Sequence, residues 1–204
     1  MTLPSYFHSN SSGIVSHIRE YSIKNTVNPI SSSFSLVNSL GFNSGESINI
    51  ERVVEASANK DAEKYYLEFM RIFLKDDFIE GETSISEVFL ERIANEHPIS
   101  FSKFFFKVWM EIFYIRKDIV LSCRFINFSA SIDHFSIGSQ NADVMLIAAL
   151  GHDSPELNEA ALRAMEFWSQ PQYKAILDGT RKFTHEWLNE YKRKVAIYIE
   201  RCVS

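Results

Sequence analysis

From Gly45 onward, apolar residues recur at steps of three and four. In "NIERVVEASA" the residues Ile50, Val53, Val54 and Ala58 fall on one face, and "DAEKYYLEFMRIFL" (61–74) extends the stripe through Tyr65, Tyr66, Phe69, Ile72 and Phe73. Such steps lay one side of an α-helix against a core. "KDDFIEGE" ends the pattern, because its charges and Gly81 favour a surface turn. Ser84 and Glu87 in "SISE" form a capping box, in which each side chain satisfies a backbone N–H that the helix leaves free. This predicts a helix over 84–96. Pro98 stops it, and Ser100 caps the next, "FSKFFFKVWMEIFYIRK" (101–117), with Phe104, Phe105, Val108, Ile112 and Ile115 on a broad face.

The stretch 118–136 reads two ways. Its β-branched and aromatic content suits a strand, whereas Leu121, Phe125, Phe128, Ile132 and Phe135 step by four and three, which favours a helix. Asn141 is placed to cap "ADVMLIAAL", a segment apolar all round and therefore buried on most sides. Gly151 ends that helix as a residue able to turn left-handed. Ser154 then caps a new helix with Pro155 at its first position, where the missing N–H costs nothing. Leu157, Ala160, Ala161, Ala164, Met165 and Trp168 form its inner stripe, and the small alanines permit close approach to the preceding helix. A short helix, "QYKAILD", follows Pro171 and stops at Gly179. The last helix is expected over 180–201, with Phe183, Trp187, Tyr191, Val195, Tyr198 and Cys202 along one side, and with Lys192, Arg193 and Lys194 near enough to its C-terminal half to oppose the helix dipole.

The expected fold is thus all-α: antiparallel helical hairpins in an irregular bundle or a HEAT-like stack. Residues 46–204 form the helical domain. Residues 1–45 differ, with twelve serines, five asparagines and Glu20 as the only acid. Their "NSSG" and "NPISSSFS" stretches are loop chemistry, since Ser and Asn side chains compete with regular backbone bonding. They read as a loosely structured N-terminal arm.

Two helices joined by the tight "GHDSPE" turn, with paired alanines inside the second, resemble a HEAT repeat. The resemblance covers about residues 141–178 and is carried by Leu150-Gly-His-Asp-Ser-Pro-Glu-Leu157, Ala160-Ala-Leu and Ala164. It implies helix pairs stacked into a curved surface that binds other macromolecules. The segments 46–75 and 84–117 are of similar length but lack the inter-helix Asp and the alanines.

Composition narrows the function classes. A chain of 204 residues can bury enough surface to need no covalent staples. Its two cysteines, Cys123 and Cys202, form no spaced motif, which points to reduced thiols in a cytoplasmic setting rather than a disulfide framework or zinc cage. The longest apolar run, Val144 to Leu150, falls far short of the roughly 20 residues that span a bilayer. No signal peptide is expected, since the start lacks a basic stretch followed by an apolar one. A net charge of −5 argues against nucleic acid as partner. The charge is uneven: residues 46–179 carry 22 acids against 13 Lys and Arg, and residues 180–204 carry three against six.

Candidate chemistry is sparse. An HD-type metal-dependent phosphohydrolase needs an upstream His, an adjacent His-Asp and a distant Asp. His152 and Asp153 supply the pair, His97 or His134 the first ligand and Asp178 the last, a set able to hold a metal that activates water. The simpler reading of His152 and Asp153 is a solvated turn. "HEWLN" (185–189) begins like a zinc-protease signature but has Asn189 where the second His belongs. Cys123 lies in apolar "VLSCRF" and reads as a buried, inert thiol. The aromatic "FFFKVWMEIFY" reads as core before docking surface, and "YKRK" as a solvated helix end before a nucleic-acid or lipid contact.

No catalytic, cofactor or metal residues are therefore assigned. The function expected first is a non-enzymatic protein-interaction module of immunity, adaptor or secretion-chaperone type, meeting a partner with a basic surface. Two alternatives stand beside it: a secreted effector using residues 1–45 as a type III-like export signal, and the metal-dependent hydrolase. A structural subunit of a larger assembly is a further class.

Overall fold

The computed structural model describes residues 44–77 and 82–203, with side chains described over 52–202. The chain divides into two compact units, Met1–Val53 and Val54–Ser204, and the packed core lies in the second. All but the last two residues of the expected arm, 1–45, lie outside the described residues; Ser44 and Gly45 belong to a helix.

Among the described residues there are nine α-helices, one π-helical segment and no strand. They are α1 (Ser44–Phe73), α2 (Ile85–Glu96), α3 (Pro98–Trp109), the π segment Met110–Ile115, α4 (Ile119–Ala130), α5 (His134–Ile137), α6 (Ser139–Gly151), α7 (Pro155–Trp168), α8 (Tyr173–Gly179) and α9 (Glu186–Val203). The ambiguous stretch after Lys117 is thus helical. The protein is an all-α bundle with irregular helix packing.

Two kinds of packing hold it. Phe69 and Phe73 of α1 stack with centroids 5.0 Å apart. Phe69 meets Phe104 of α3 edge-on at 5.5 Å, and Phe105 of α3 lies 4.8 Å from Phe125 of α4. Offset and edge-to-face pairs of this sort suit the quadrupole of an aromatic ring. The second kind centres on α7, which packs against α4, α6 and α9. Its expected stripe, Leu157, Ala160, Ala161, Ala164, Met165 and Trp168, is buried throughout.

Caps follow the sequence in part. Ser84 Oγ accepts from Glu87 N (3.1 Å) and Ser154 Oγ from Leu157 N (3.3 Å). Ser100 does not cap: Pro98 itself opens α3, His97 links α2 to α3, and Ser100 is buried in the first turn. Nor does Asn141. Its Nδ2 donates to Ser102 O (3.0 Å), Ser102 Oγ (2.8 Å) and Ile137 O (3.2 Å), tying α6 to α3. Gly151 ends α6 without turning left-handed; Gly138, at the start of α6, has the positive φ instead, +88°.

Several apolar residues expected inside are exposed. Val53 and Val54 are open on α1. Ile115 is 70% exposed, because the π segment puts one more residue in its turn than helical spacing assumes and moves Ile115 off the buried face. Phe135 is displaced likewise by the break between α4 and α5. Val144 and Ile147 of α6 also face out. The last helix begins at Glu186 rather than Thr180, since Asn189 takes up the preceding backbone: its Oδ1 accepts from Phe183 N (2.8 Å) and its Nδ2 donates to Phe183 O (2.9 Å). The buried face of α9 is Leu188, Val195, Ala196 and Ile199, while Trp187, Tyr198 and Cys202 are exposed.

A Cβ on Gly138 would come within 2.8 Å of Ser102 Oγ, the atom that accepts from Asn141, in a backbone region L side chains rarely adopt. Gly138→Ala is expected to lower stability by about 1–3 kcal/mol. Urea denaturation with a matched Gly179→Ala control, where an added Cβ meets open space, checks this.

Candidate functional site

The His-Asp turn is held as a structural joint. Helix α6 ends in carbonyls with no partner within the helix, as every helix does. Asn158, one turn into α7 and buried, supplies the missing donor: its Nδ2 reaches Ala149 O (2.9 Å), Leu150 O (3.3 Å) and His152 O (2.9 Å). His152 Nδ1 accepts from Ser154 N (3.0 Å), and its ring lies edge-on to Phe113 at 5.9 Å. Asp153, with a fully open carboxylate, pairs with Arg181 Nη2 at 3.0 Å, and the same nitrogen donates to His152 O (2.9 Å).

The other expected ligands are engaged elsewhere. Asp178 pairs with Lys174 one turn earlier on α8. His97 links α2 to α3 with its ring 5.1 Å from Tyr65. His134 is buried beside Asp143 of α6. Among the described residues, no group of three or more His, Cys, Asp or Glu side chains is arranged to hold a metal. In the protease-like stretch, Glu186 pairs with Lys182 (3.3 Å), and Asn189 is turned to the backbone.

Cys123 is half-buried, and burial, with Glu156 and Glu159 nearby, pushes its thiol up to about 11. The thiolate is the nucleophile, so this sulfur is inert near neutral pH. The basic cluster lies in the middle of α9 rather than at its end. Lys192 Nζ donates to Thr180 O (2.9 Å) and Arg181 O (3.2 Å), closing the end of α8, while Lys194 pairs with Glu190 (3.1 Å). Arg201 is the basic residue in the last turn.

What the structure does assemble is an apolar knuckle between α3 and α4. Trp109 stacks on Phe113 at 4.4 Å and anchors the π segment. The wide turn closes through Arg116 N to Glu111 O (2.8 Å) and Asp118 N to Ile112 O (3.0 Å). Lys117 between them is left-handed, with φ 54°. Asp118 then caps α4, accepting from Leu121 N at 3.0 Å. Tyr114, Ile115, Ile119 and Val120 are left facing outward within seven consecutive residues, Val120 at 68% exposure. From the sequence, Ile115 is expected on the buried face, and Tyr114, Ile119 and Val120 belong to no predicted stripe. Only the π turn and the left-handed Lys117 put them outside.

Fold and site together define an all-helical bundle with an exposed apolar knuckle and, among the described residues, no group of three or more side chains arranged to hold a metal. The chain matches no protein-family model, no curated protein and no solved structure. No helix among the described residues is long and apolar enough to cross a membrane.

Asn158→Ala removes the buried amide donor shared by the carbonyls of Ala149, Leu150 and His152. It is expected to cost about 1–3 kcal/mol in chemical denaturation, whereas Asp153→Ala, which removes an exposed ion pair, moves the midpoint little. For the thiols, alkylation of the folded protein near neutral pH is expected to modify Cys123 on the order of a hundredfold more slowly than free cysteine. Mass spectrometry of the peptides over time checks it, and unfolding in urea removes the protection.

Proposed function

We propose that this protein is a non-enzymatic protein-interaction module, of immunity, adaptor or secretion-chaperone type, which docks a partner on the knuckle formed by Tyr114, Ile115, Ile119 and Val120. The observation that carries the reading is the exposure of these four large apolar side chains on a framework that strains the backbone to present them. Contiguous exposed apolar residues on a folded protein mark contact surfaces more often than accidents of packing. π turns within helices recur at functional sites.

The charge balance along the chain supports a partner with a basic surface. The 22 acids against 13 Lys and Arg over residues 46–179 steer such a partner inward, and the apolar knuckle supplies the desolvated contact. In this reading α6 and α7, joined at the His152–Ser154 turn with alanines inward, serve as a HEAT-like hairpin that stiffens the bundle behind the knuckle. An enzymatic role draws no support from the described side chains, among which no three candidate ligands converge.

The test is site-specific photo-crosslinking in cells that express the protein. A benzophenone side chain at Ile115 or Val120 is expected to yield a discrete covalent adduct with a second protein, and one at Lys182, an exposed position between α8 and α9, is not. No adduct from either knuckle position, or the same adducts from Lys182, overturns the assignment.

A further inference from the structure

The second unusual place lies inside the bundle. His134 opens α5 and is only 2% exposed, yet neither ring nitrogen has a hydrogen-bond partner. Asp143 of α6 brings Oδ1 to 3.7 Å from Nε2, too far for a hydrogen bond, and that oxygen is likewise buried and unpartnered. Tyr173 of α8 is fully buried, with its hydroxyl also unpartnered and its ring 5.7 Å from the imidazole. Trp168 of α7 packs at 5.5 Å and donates Nε1–H to Ile132 O (2.8 Å), just upstream of α5. Buried polar atoms are normally satisfied. Here the unpartnered atoms of three helices collect around one titratable ring.

We propose that His134, Asp143 and Tyr173 form an acid-sensitive latch: the neutral imidazole keeps the segment Asp133–Gly138 seated on α2, α3 and α6, and protonation of the ring releases that segment and uncovers Trp168.

The geometry explains the direction. A cation in this position would sit among the rings of Phe135, Trp168 and Tyr173, out of water. Burial accordingly pulls the imidazole below its ordinary value, outweighing the carboxylates of Asp143 and Asp133, which pull the other way. Asp143 Oδ1 stands 3.7 Å from Nε2, beyond hydrogen-bonding distance, and its pull is outweighed by the burial of the ring. Asp133 is occupied as the cap of α5, accepting from Ser136 N at 3.0 Å. Among the described residues no charge on α2 or α3 is set against the ring. Tyr173 is neutral throughout, its phenol pushed far up by burial.

The linkage sign follows. The opened segment carries an imidazole of ordinary affinity, near 6.5, and the closed one binds a proton more weakly. Closure is therefore fully favoured above that value and is lost as the pH falls through the depressed, closed-state pKa. Gly138, with its positive φ, lies at the end of the segment and Ser131–Ile132 at its start, so both flanks lie outside regular helix.

Hydrogen exchange by mass spectrometry on the full chain, at about pH 7.5 and about pH 5.5 and corrected for intrinsic rates, tests this. Protection over 133–138 is expected to fall several-fold on acidification while Ala160–Met165 of α7 stays protected. In His134→Gln the pH dependence of that segment is expected to vanish, whatever its baseline. In Asp143→Asn, which removes the charge favouring a buried imidazolium, the fall is expected to grow. Equal protection at both pH values, loss of protection in every helix together, an undiminished fall in His134→Gln, or a smaller fall in Asp143→Asn overturns the latch. The NMR titration of His134 in the wild-type protein reads the same question without a variant, and a midpoint at or above 6.5 also overturns it.

Discussion

Helix α7 is approached by α4, α6 and α9, and alanine is the residue that makes this possible. Ala160, Ala161 and Ala164 are buried with nothing beyond a methyl group to hold neighbours away. Protein interiors are packed at crystal-like density, so a larger side chain at these positions would displace a neighbouring helix rather than find room. The ends of α7 are held by polar bonds instead. Asn158 closes the carbonyl end of α6 near one terminus, and Trp168 grips the Ile132 carbonyl near the other. The breaks before α5 and after α6 are therefore positioned by the same helix that α6 packs on.

The other side of the bundle is built on large rings. Phe69 and Phe73 of α1, Phe104 and Phe105 of α3, and Phe125 of α4 share contacts at 4.8 to 6.3 Å. Helix α4 belongs to both regions, since it carries Phe125 and Phe128 and also packs on α7. Surface ion pairs such as Lys103–Glu55 and that between Lys107 and Glu63 link α3 to α1 on the outside. Exposed pairs of this kind add little to stability. The ring contacts, which remove large apolar areas from water, join these helices energetically.

Most helices were legible because their burial has a period. The stripe of α7 and the phenylalanines of α3 could be read from spacing alone, and Ser84 and Ser154 from their position before an apolar run. The errors share a cause. Ile115 and Phe135 were placed inside by counting helical steps across a π turn and a break, each of which resets the phase. Val144 and Ile147 sit in a helix so uniformly apolar that no phase exists to read. Asn158 was missed as the organiser of the turn because its partners lie six to nine residues earlier, on a different helix. His152 and Asp153 looked like ligands because adjacency is common to metal sites and to turns. What separates the two is the Ser154 N–H and the Arg181 guanidinium, which no local pattern announces.

Where the chain is locally consistent, it is so with some care: Ser84, Asp118, Asp133 and Ser154 each cap a helix with a side-chain oxygen. Against that background two departures stand out. The α3–α4 junction combines a π segment with a left-handed lysine, a backbone state that costs an ordinary residue roughly 1–2 kcal/mol. The α5 junction buries an imidazole, a carboxylate oxygen and a phenol without partners, each at a further cost of about 1–3 kcal/mol. Both departures are carried by stability generated elsewhere, chiefly in the α7 and phenylalanine cores. Violations of local rules that persist beside an otherwise consistent fold are the places where function opposes stability. One departure faces solvent, where we propose contact with a partner; the other is sealed, where we propose a response to protons.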